Sequence, residues 1–409
     1  MRRKTIFASL FGLVVFAIAA AWFVFVGMNA TRYLLFAHAD ARSRDEIEAM
    51  LKRIRLPEGF SIALYAQAPG ARSLAVGAKG EAIFVGAADD RMYVLTPGDG
   101  RAASVDVFAP EMKFVMPHGL CLSREGVLFV VERNRITRFD EAESTWRQAA
   151  AGARVIVPAG DLIPRAEQSG FHTTRMCRVG PDGGLYVSLG QPYNVTPREK
   201  LELYDRVGIG GIIRMNQDGS AREVFARGVR NSVGMDFNPA DGSLWFTDNQ
   251  VDSMGDDTPP GELNRAARAG LHFGFPWYGG GHVRTNEYAS DAPPEGVVFP
   301  QVEEAAHAAD LGMSFYTGTM FPPAYRGGIF SAQHGSWDRR VPIGARVMFT
   351  RIGADGISAS SEAFAEGWNT GEPPYLGRPA DIAQLPDGSL LVTDDQNGAV
   401  YRIAYRESK

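Results

Sequence analysis

One short pattern recurs six times along the chain and constrains its fold more than any other feature: a turn containing glycine, followed by an apolar run of three or four residues. Ala78-Lys79-Gly80-Glu81 leads into Ala82-Ile83-Phe84-Val85, Ser123-Arg124-Glu125-Gly126 into Val127-Leu128-Phe129-Val130, and Pro181-Asp182-Gly183-Gly184 into Leu185-Tyr186-Val187. Ala240-Asp241-Gly242-Ser243 leads into Leu244-Trp245-Phe246-Thr247, Arg326-Gly327-Gly328 into Ile329-Phe330-Ser331, and Pro386-Asp387-Gly388-Ser389 into Leu390-Leu391-Val392-Thr393. Glycine supplies the positive φ of a tight turn, so each copy reads as a turn feeding a buried strand. Most copies are followed by a further strand, such as Arg91-Met92-Tyr93-Val94-Leu95. Six self-similar units at irregular, blade-like spacing predict an all-β, six-bladed propeller; a sandwich would not need six copies of one turn. The early strand Phe60-Ser61-Ile62-Ala63-Leu64-Tyr65 is free to close the ring by pairing with the last blade.

The N-terminus differs in kind. Met1-Arg2-Arg3-Lys4 is basic, and Thr5 through Thr31 is uncharged and dominated by Phe, Leu, Val, Ile and Ala. About 20 apolar residues at ~1.5 Å each cross a bilayer core, and a basic flank stays cytoplasmic. Residues 1–31 are therefore expected to be a cytoplasmic basic end and transmembrane anchor, the alternative being a cleaved signal peptide, whose apolar region is normally shorter. The rest of the chain would then face the periplasm or the cell exterior. Residues 32–55 read as a linker containing a short amphipathic helix that spaces the anchor from the body, and residues 56–409 as the propeller. A hydrophobic content of 45% suffices for a large core, and the net charge of −5 excludes nucleic acid as the main partner.

Insertions mark the working face. Asp248 to Leu311, rich in Gly, Pro, Asp and aromatics, and Pro192 to Gly208 are both longer than a hairpin needs, and long structured loops on a rigid scaffold build sites. Cations flank the inner strands: Arg72, His118, His172 and Arg175, Arg230, His334 with Arg339 and Arg340, and Arg378. In a propeller these positions converge on one mouth of the axial channel, where such a ring suits a polyanionic ligand. His118 and His307 read as structural histidines. Trp277 and Tyr278 either wall a sugar site or fill the core of their loop.

Phe171-His172, Gly228-Val229-Arg230-Asn231-Ser232-Val233-Gly234-Met235, Asp248-Asn249-Gln250-Val251-Asp252, Gly255 through Asn264, His334-Gly335-Ser336-Trp337-Asp338-Arg339 and Gly377-Arg378-Pro379 together resemble the pyrroloquinoline quinone (PQQ) dependent sugar dehydrogenases, most nearly the sorbosone dehydrogenase-like or pyranose dehydrogenase branch. The resemblance covers Leu56 to Tyr405. It implies a propeller holding PQQ and Ca2+ at the axial mouth, and His172 as the general base that takes a proton from a sugar hydroxyl. Arg230, Asn231, Arg378 and one or both of Arg339 and Arg340 would contact the cofactor. Backbone carbonyls at Asn249, Gln250 and Val251 would hold the metal, with Asp248, Asp252, Asp256, Asp257 and Glu262 supplying carboxylates for it or for a second, structural ion. The Gly-Pro of the soluble glucose-oxidising branch is absent there.

Two other functions stay open: a calcium-dependent propeller lactonase or esterase, which would need no quinone, and a non-catalytic propeller binding glycan or protein. Without Cys-x-x-Cys-His the chain carries no covalently attached c-type haem, so electrons would leave to membrane quinone or a separate cytochrome. Cys121 and Cys177 are the only cysteines and occupy matching places in consecutive repeats. Adjacent inner strands need not bring Cα atoms within bridging reach, and the expectation leans against a disulfide.

Overall fold

A computed structural model describes residues 42–407. Six sheets are arranged as blades around an axis lined by the strands Ala71–Val76, Gly119–Leu122, Cys177–Val179, Gly234–Phe237, Asp310–Phe315 and Pro379–Gln384. The expected six-bladed propeller is present. The ring closes as the sequence predicts: Phe60–Gln67 pairs antiparallel with Ala399–Tyr405, Ile62 opposite Ile403, so the first strand completes the last blade.

The repeated turn works through its aspartate and glycine. Asp182 Oδ1 accepts the Gly184 N–H at 3.0 Å while Gly183 takes φ +75°. Asp241 and Asp387 repeat this toward the Ser243 and Ser389 N–H groups at 2.9 and 2.8 Å. Each aspartate also pairs with an arginine on the third strand of its blade, Arg214, Arg265 or Arg402. The second strands Ile83–Ala87, Leu128–Val131, Leu185–Leu189, Leu244–Asp248, Ile329–Gln333 and Leu390–Asp394 are buried along their whole length. Neighbouring blades cover both faces of each, which is why these segments read as continuous apolar runs.

Three expectations meet the structure differently. The proposed transmembrane segment lies outside the described residues, among which no helix is long and apolar enough to cross a membrane. The short amphipathic helix expected before Leu56 is present and packs on the body. Helix Arg44–Leu51, started by a Ser43/Glu46 capping box, buries Ile47, Met50 and Leu51 in the cluster that contains Phe330, Phe364 and Tyr401, so the packed body begins before Leu56. Cys121 and Cys177 do form a disulfide, because the inner strands of blades 2 and 3 bring their Cα atoms to 5.6 Å. The bridge closes a loop of sequence separation 56, worth ~4 kcal/mol by the chain-entropy relation.

Inner strands begin, and second strands end, at the same mouth of the channel, and the long loops gather there. Residues 267–301 climb the outside of blade 3, where Leu271–His272 pairs parallel to Glu223–Arg227. The tip of this excursion packs on the loop after the second strand of blade 4: a Cβ on Gly279 would lie 3.2 Å from Val251, and one on Gly280 only 2.2 Å from Pro260 O. Trp277 lies against Tyr288 and His272, and Tyr278 against Phe299, both half-buried within the excursion.

Candidate active site

His172 stands in the connection from blade 2 to blade 3 with φ +48°, a conformation uncommon for a residue with a side chain. Its surroundings enforce it. Arg175 Nη1 donates to His172 O at 2.6 Å, and the chain of residue 190 passes so close that a Cβ there would lie 2.8 Å from the same oxygen, which is why 190 is glycine. The ring Nδ1 is 2.6 Å from Gln191 O. A carbonyl only accepts, so Nδ1 carries the hydrogen and Nε2 is left with its lone pair. Gln191 is itself buried and fixed, its amide receiving the Tyr193 N–H at 2.9 Å and the Thr196 hydroxyl at 3.2 Å. Burial first, and then the Arg230 charge, push the His172 imidazole down to about 3, so it is neutral across the physiological range.

The arginines at this mouth are presented by a shared device. A buried aspartate at the end of the second strand accepts the backbone N–H groups just ahead of the inner strand. Asp248 holds the N–H of Arg230 at 2.7 Å and that of Asn231 at 2.6 Å; Asp394 holds the N–H of Arg378 at 3.0 Å. The Arg230 side chain is buried and bonded to Asn249 O at 3.1 Å, Asn194 O at 3.0 Å and Asp252 at 2.8 Å. Asn231 Oδ1 is buried without a hydrogen-bond partner. Arg378 donates to His334 O at 3.0 Å and Gly335 O at 2.9 Å. Arg339 and Arg340 turn toward the loop after blade 4's second strand, pairing with Asp257 at 2.9 Å and Asp256 at 3.0 Å.

The expected metal-binding residues fall into three groups. Asp248 and Glu262 are cross-strand partners, and they line a small enclosed space with Asn249 and Gln250, whose Oε1 is buried and unpartnered. Burial, and for Glu262 also the neighbouring Asp248 charge, raise both carboxyls well above the usual range. Asp252 gathers with Asp338 and His307, their ligand atoms all within 4.8 Å of one another. The ring of His307 is committed, with Nε2 2.8 Å from Gly255 O and Nδ1 3.0 Å from the Gln250 amide. Asp256 and Asp257 form the third group, occupied by the two arginines. Val251 is buried and donates its N–H to Gly279 O at 2.7 Å.

Sequence reasoning missed Asp395, which joins Arg72 at 2.7 Å to His334 Nε2 at 2.8 Å. Burial alone would raise this carboxyl, but His334, Arg72 and Arg378 hold it far below the usual range. Asp395 follows the second strand of blade 6 just as Asn249 and His334 follow those of blades 4 and 5, and that shared register was the available signal. Gly190, Gln191 and Asn194 were also missed. His118 is buried, donates Nδ1–H to Arg175 O at 2.7 Å and leaves Nε2 without a partner.

In overall shape the chain is similar to an AA12-family carbohydrate-active enzyme of Trichoderma reesei, with TM-score 0.72 and 20% identity over 87% of this chain and 98% of that one. It is also similar to the holo form of the pyranose dehydrogenase PQQ domain of Coprinopsis cinerea, with TM-score 0.69 and 18% identity over 86% and 97%. At such identities the likeness shows the fold. A curated but uncharacterised protein of Borreliella burgdorferi is 34% identical over 249 residues, 60% of this chain. The chain spans 64% of that relative and 59% of a Synechocystis one that is 28% identical. A family model described as Glucose / Sorbosone dehydrogenase matches residues 131–336, half of the 409, and the chain belongs to that family.

Proposed function

We propose that this protein oxidises a hydroxyl-bearing carbon of a sugar, with PQQ and Ca2+ held at the loop-bearing mouth and His172 as general base. The observation that carries the reading is the tautomer of His172: Nδ1–H is spent on Gln191 O, so the only basic nitrogen is Nε2. The donor set fits a polyanionic cofactor. Arg72, Arg175, Arg230 and Arg378 gather there, with Asp252 and Asp395 paired to Arg230 and Arg72, and Arg72 Nε is buried without a partner. When bound, the quinone would supply the hydride acceptor. Arg230, Asn231 and Arg378 would hold it, kept in place by Asp248 and Asp394. His172 Nε2 would take the hydroxyl proton while Gln191 O steadies the imidazolium that forms. With its pKa at about 3, set first by burial, the free imidazole is a weak base; neutralising the Arg230 and Arg175 charges with an anion would raise its proton affinity. For calcium, the unpartnered Gln250 Oε1 with Asn249, Asp248 and Glu262 would supply oxygen ligands of the kind the ion takes.

The test is reconstitution with PQQ and Ca2+ and assay of dye reduction over a sugar panel. Chelator-sensitive lactone hydrolysis without quinone would reassign the protein as a hydrolase. We place the body outside the cytoplasm and the electron acceptor outside the chain. The first is supported by the Cys121–Cys177 disulfide, which an oxidising compartment permits, the second by the missing haem motif.

A further inference from the structure

A second cavity opens on the same face, above blade 2. It measures about 430 Å³ and is lined by Lys113 ahead of the inner strand, Glu132, Arg133 and Arg135 after the second strand, and Arg165 and Gln168 after the outer one. Among ligand-sized cavities, which run from about 300 to 1,000 Å³, this one is unusual in charge. Glu132 is the only carboxylate in its lining, and it is already committed to the Arg135 guanidinium at 2.9 Å and the Val115 N–H at 2.7 Å. Among the described residues Lys113, Arg133 and Arg165 have no ion pair. Arg133 is the least satisfied of them. Its Nε is buried with no partner, and Nη2 finds only the Met116 sulfur at 3.3 Å. A guanidinium offers five donors, and its best acceptors are the paired oxygens of a carboxylate or phosphate.

The cavity is tied to the base. Met116 Sδ also receives the hydroxyl of Thr173, the residue after His172, at 3.4 Å. Arg175 donates Nε to Arg133 O at 3.1 Å and Nη1 to His172 O at 2.6 Å, so one side chain joins the two segments. Arg133 and Arg165 belong to blade 2, whereas Arg230 and Arg378 belong to blades 4 and 6. An anion bound here would sit over blade 2, joined to the His172 segment through Met116 and Arg175.

Building on the reading of this mouth as a sugar-oxidising site, we infer that the blade 2 cavity takes the acid group of an anionic sugar, a carboxylate or a phosphate, placing the sugar ring beside His172. Uncompensated cations at a partly enclosed site attract such a group strongly, and the attraction is screened by salt.

Calorimetric titration of the full chain without cofactor tests this directly, with glucose, glucuronate, glucose 6-phosphate, acetate and inorganic phosphate as probes. One or both anionic hexoses should bind ~10-fold or more tightly than glucose, and whichever is tighter identifies the acid group. The advantage should shrink at high salt. Arg165→Gln, at an exposed position that the fold tolerates, and Arg133→Gln should each remove about 10-fold of it while leaving glucose unchanged. Anionic hexoses binding no better than glucose would overturn the inference. So would unaltered affinity in both variants, or acetate and phosphate binding as tightly as the anionic hexoses. Because binding is read without cofactor, failure of dye reduction on reconstitution would count against the dehydrogenase reading and leave this titration independent.

Discussion

The two mouths of the axial channel are built from the same six strands and have opposite chemistry. At the loop-bearing mouth buried histidines are kept neutral among arginines: burial first and then arginine charge push His118 and His172 down to about 3 and His334 to about 4. At the other mouth, where the repeated turns leave no room for insertions, a cavity of about 440 Å³ is lined by Leu122, Val179, Phe237 and Phe315 with Arg178 and Asp236. Here burial pushes Asp381 up to about 6 and raises Asp236 as well, with Arg178 as their counter-charge. Cavity size is therefore a poor guide to function in this molecule. What separates the ends is loop length and the buried histidines, and a consequence is opposite response to pH.

The sharpest way to break the comparison is His172→Asn. An asparagine amide can still donate to Gln191 O in place of Nδ1–H but has nothing in place of the Nε2 lone pair. Turnover of the reconstituted enzyme should fall ~10²–10⁴-fold, the usual share of general base catalysis, with the melting temperature nearly unchanged. Activity within a few-fold of wild type would remove His172 from the chemistry.

Calcium comes next. An ion bound only to the native state adds about 2.7 kcal/mol of stability at a hundredfold excess over Kd. Stripping it with chelator should therefore lower the melting temperature, and Glu262→Gln should abolish the chelator response. A melting curve indifferent to calcium would show that Asp248 and Glu262 serve only to present Arg230.

How much of this was legible in the sequence follows from the range of the interactions. The blades were readable because their turns are local: Asp182, Gly183 and Gly184 make their own hydrogen bonds within three residues. His172 and the arginines ahead of the inner strands were readable because a propeller brings equivalent positions to one mouth. Contacts fixed by tertiary distance were not. Cys121 and Cys177 bridge only because blades 2 and 3 set their inner strands close together. Arg339 and Arg340 meet Asp257 and Asp256 because two loops more than eighty residues apart fold onto one another. Asp395 meets Arg72 and His334 across segments far apart in sequence.

The pH contrast gives a smaller effect. His118 titrates near its ordinary value of about 6.5 when unfolded but at about 3 when folded. The unfolded chain therefore binds the extra proton between these values, and stability falls as pH drops through that window. His118→Asn, which can still donate to Arg175 O, should flatten the acid limb of a stability-against-pH curve by up to ~1.4 kcal/mol per pH unit, one proton's worth. An unchanged acid limb would place the acid sensitivity elsewhere.

Arg178→Met should have the smallest effect on activity and the opposite pH signature. Its guanidinium lies 3.7 Å from Asp236 and donates to Cys177 O at 3.0 Å, on the mouth away from His172. Turnover should stay within about twofold of wild type, because no group named in the chemistry touches it. Stability should nevertheless fall, since removing the cation leaves Asp236 and Asp381 buried without their counter-charge, a loss of up to ~3 kcal/mol for partly enclosed pairs. The sign follows from the raised carboxyl of Asp381: folded at about 6 against about 3.8 unfolded, it favours folding below the lower value and ceases to do so as pH rises through the upper one. The Arg178→Met defect should therefore be larger at pH 8 than at pH 5, where the carboxyls take up protons in place of the lost cation. Equal defects at both values would mean that Arg178 acts through packing rather than charge. A fall in turnover as large as that of His172→Asn would show that the two mouths are coupled and that the plain end of the channel takes part in the reaction.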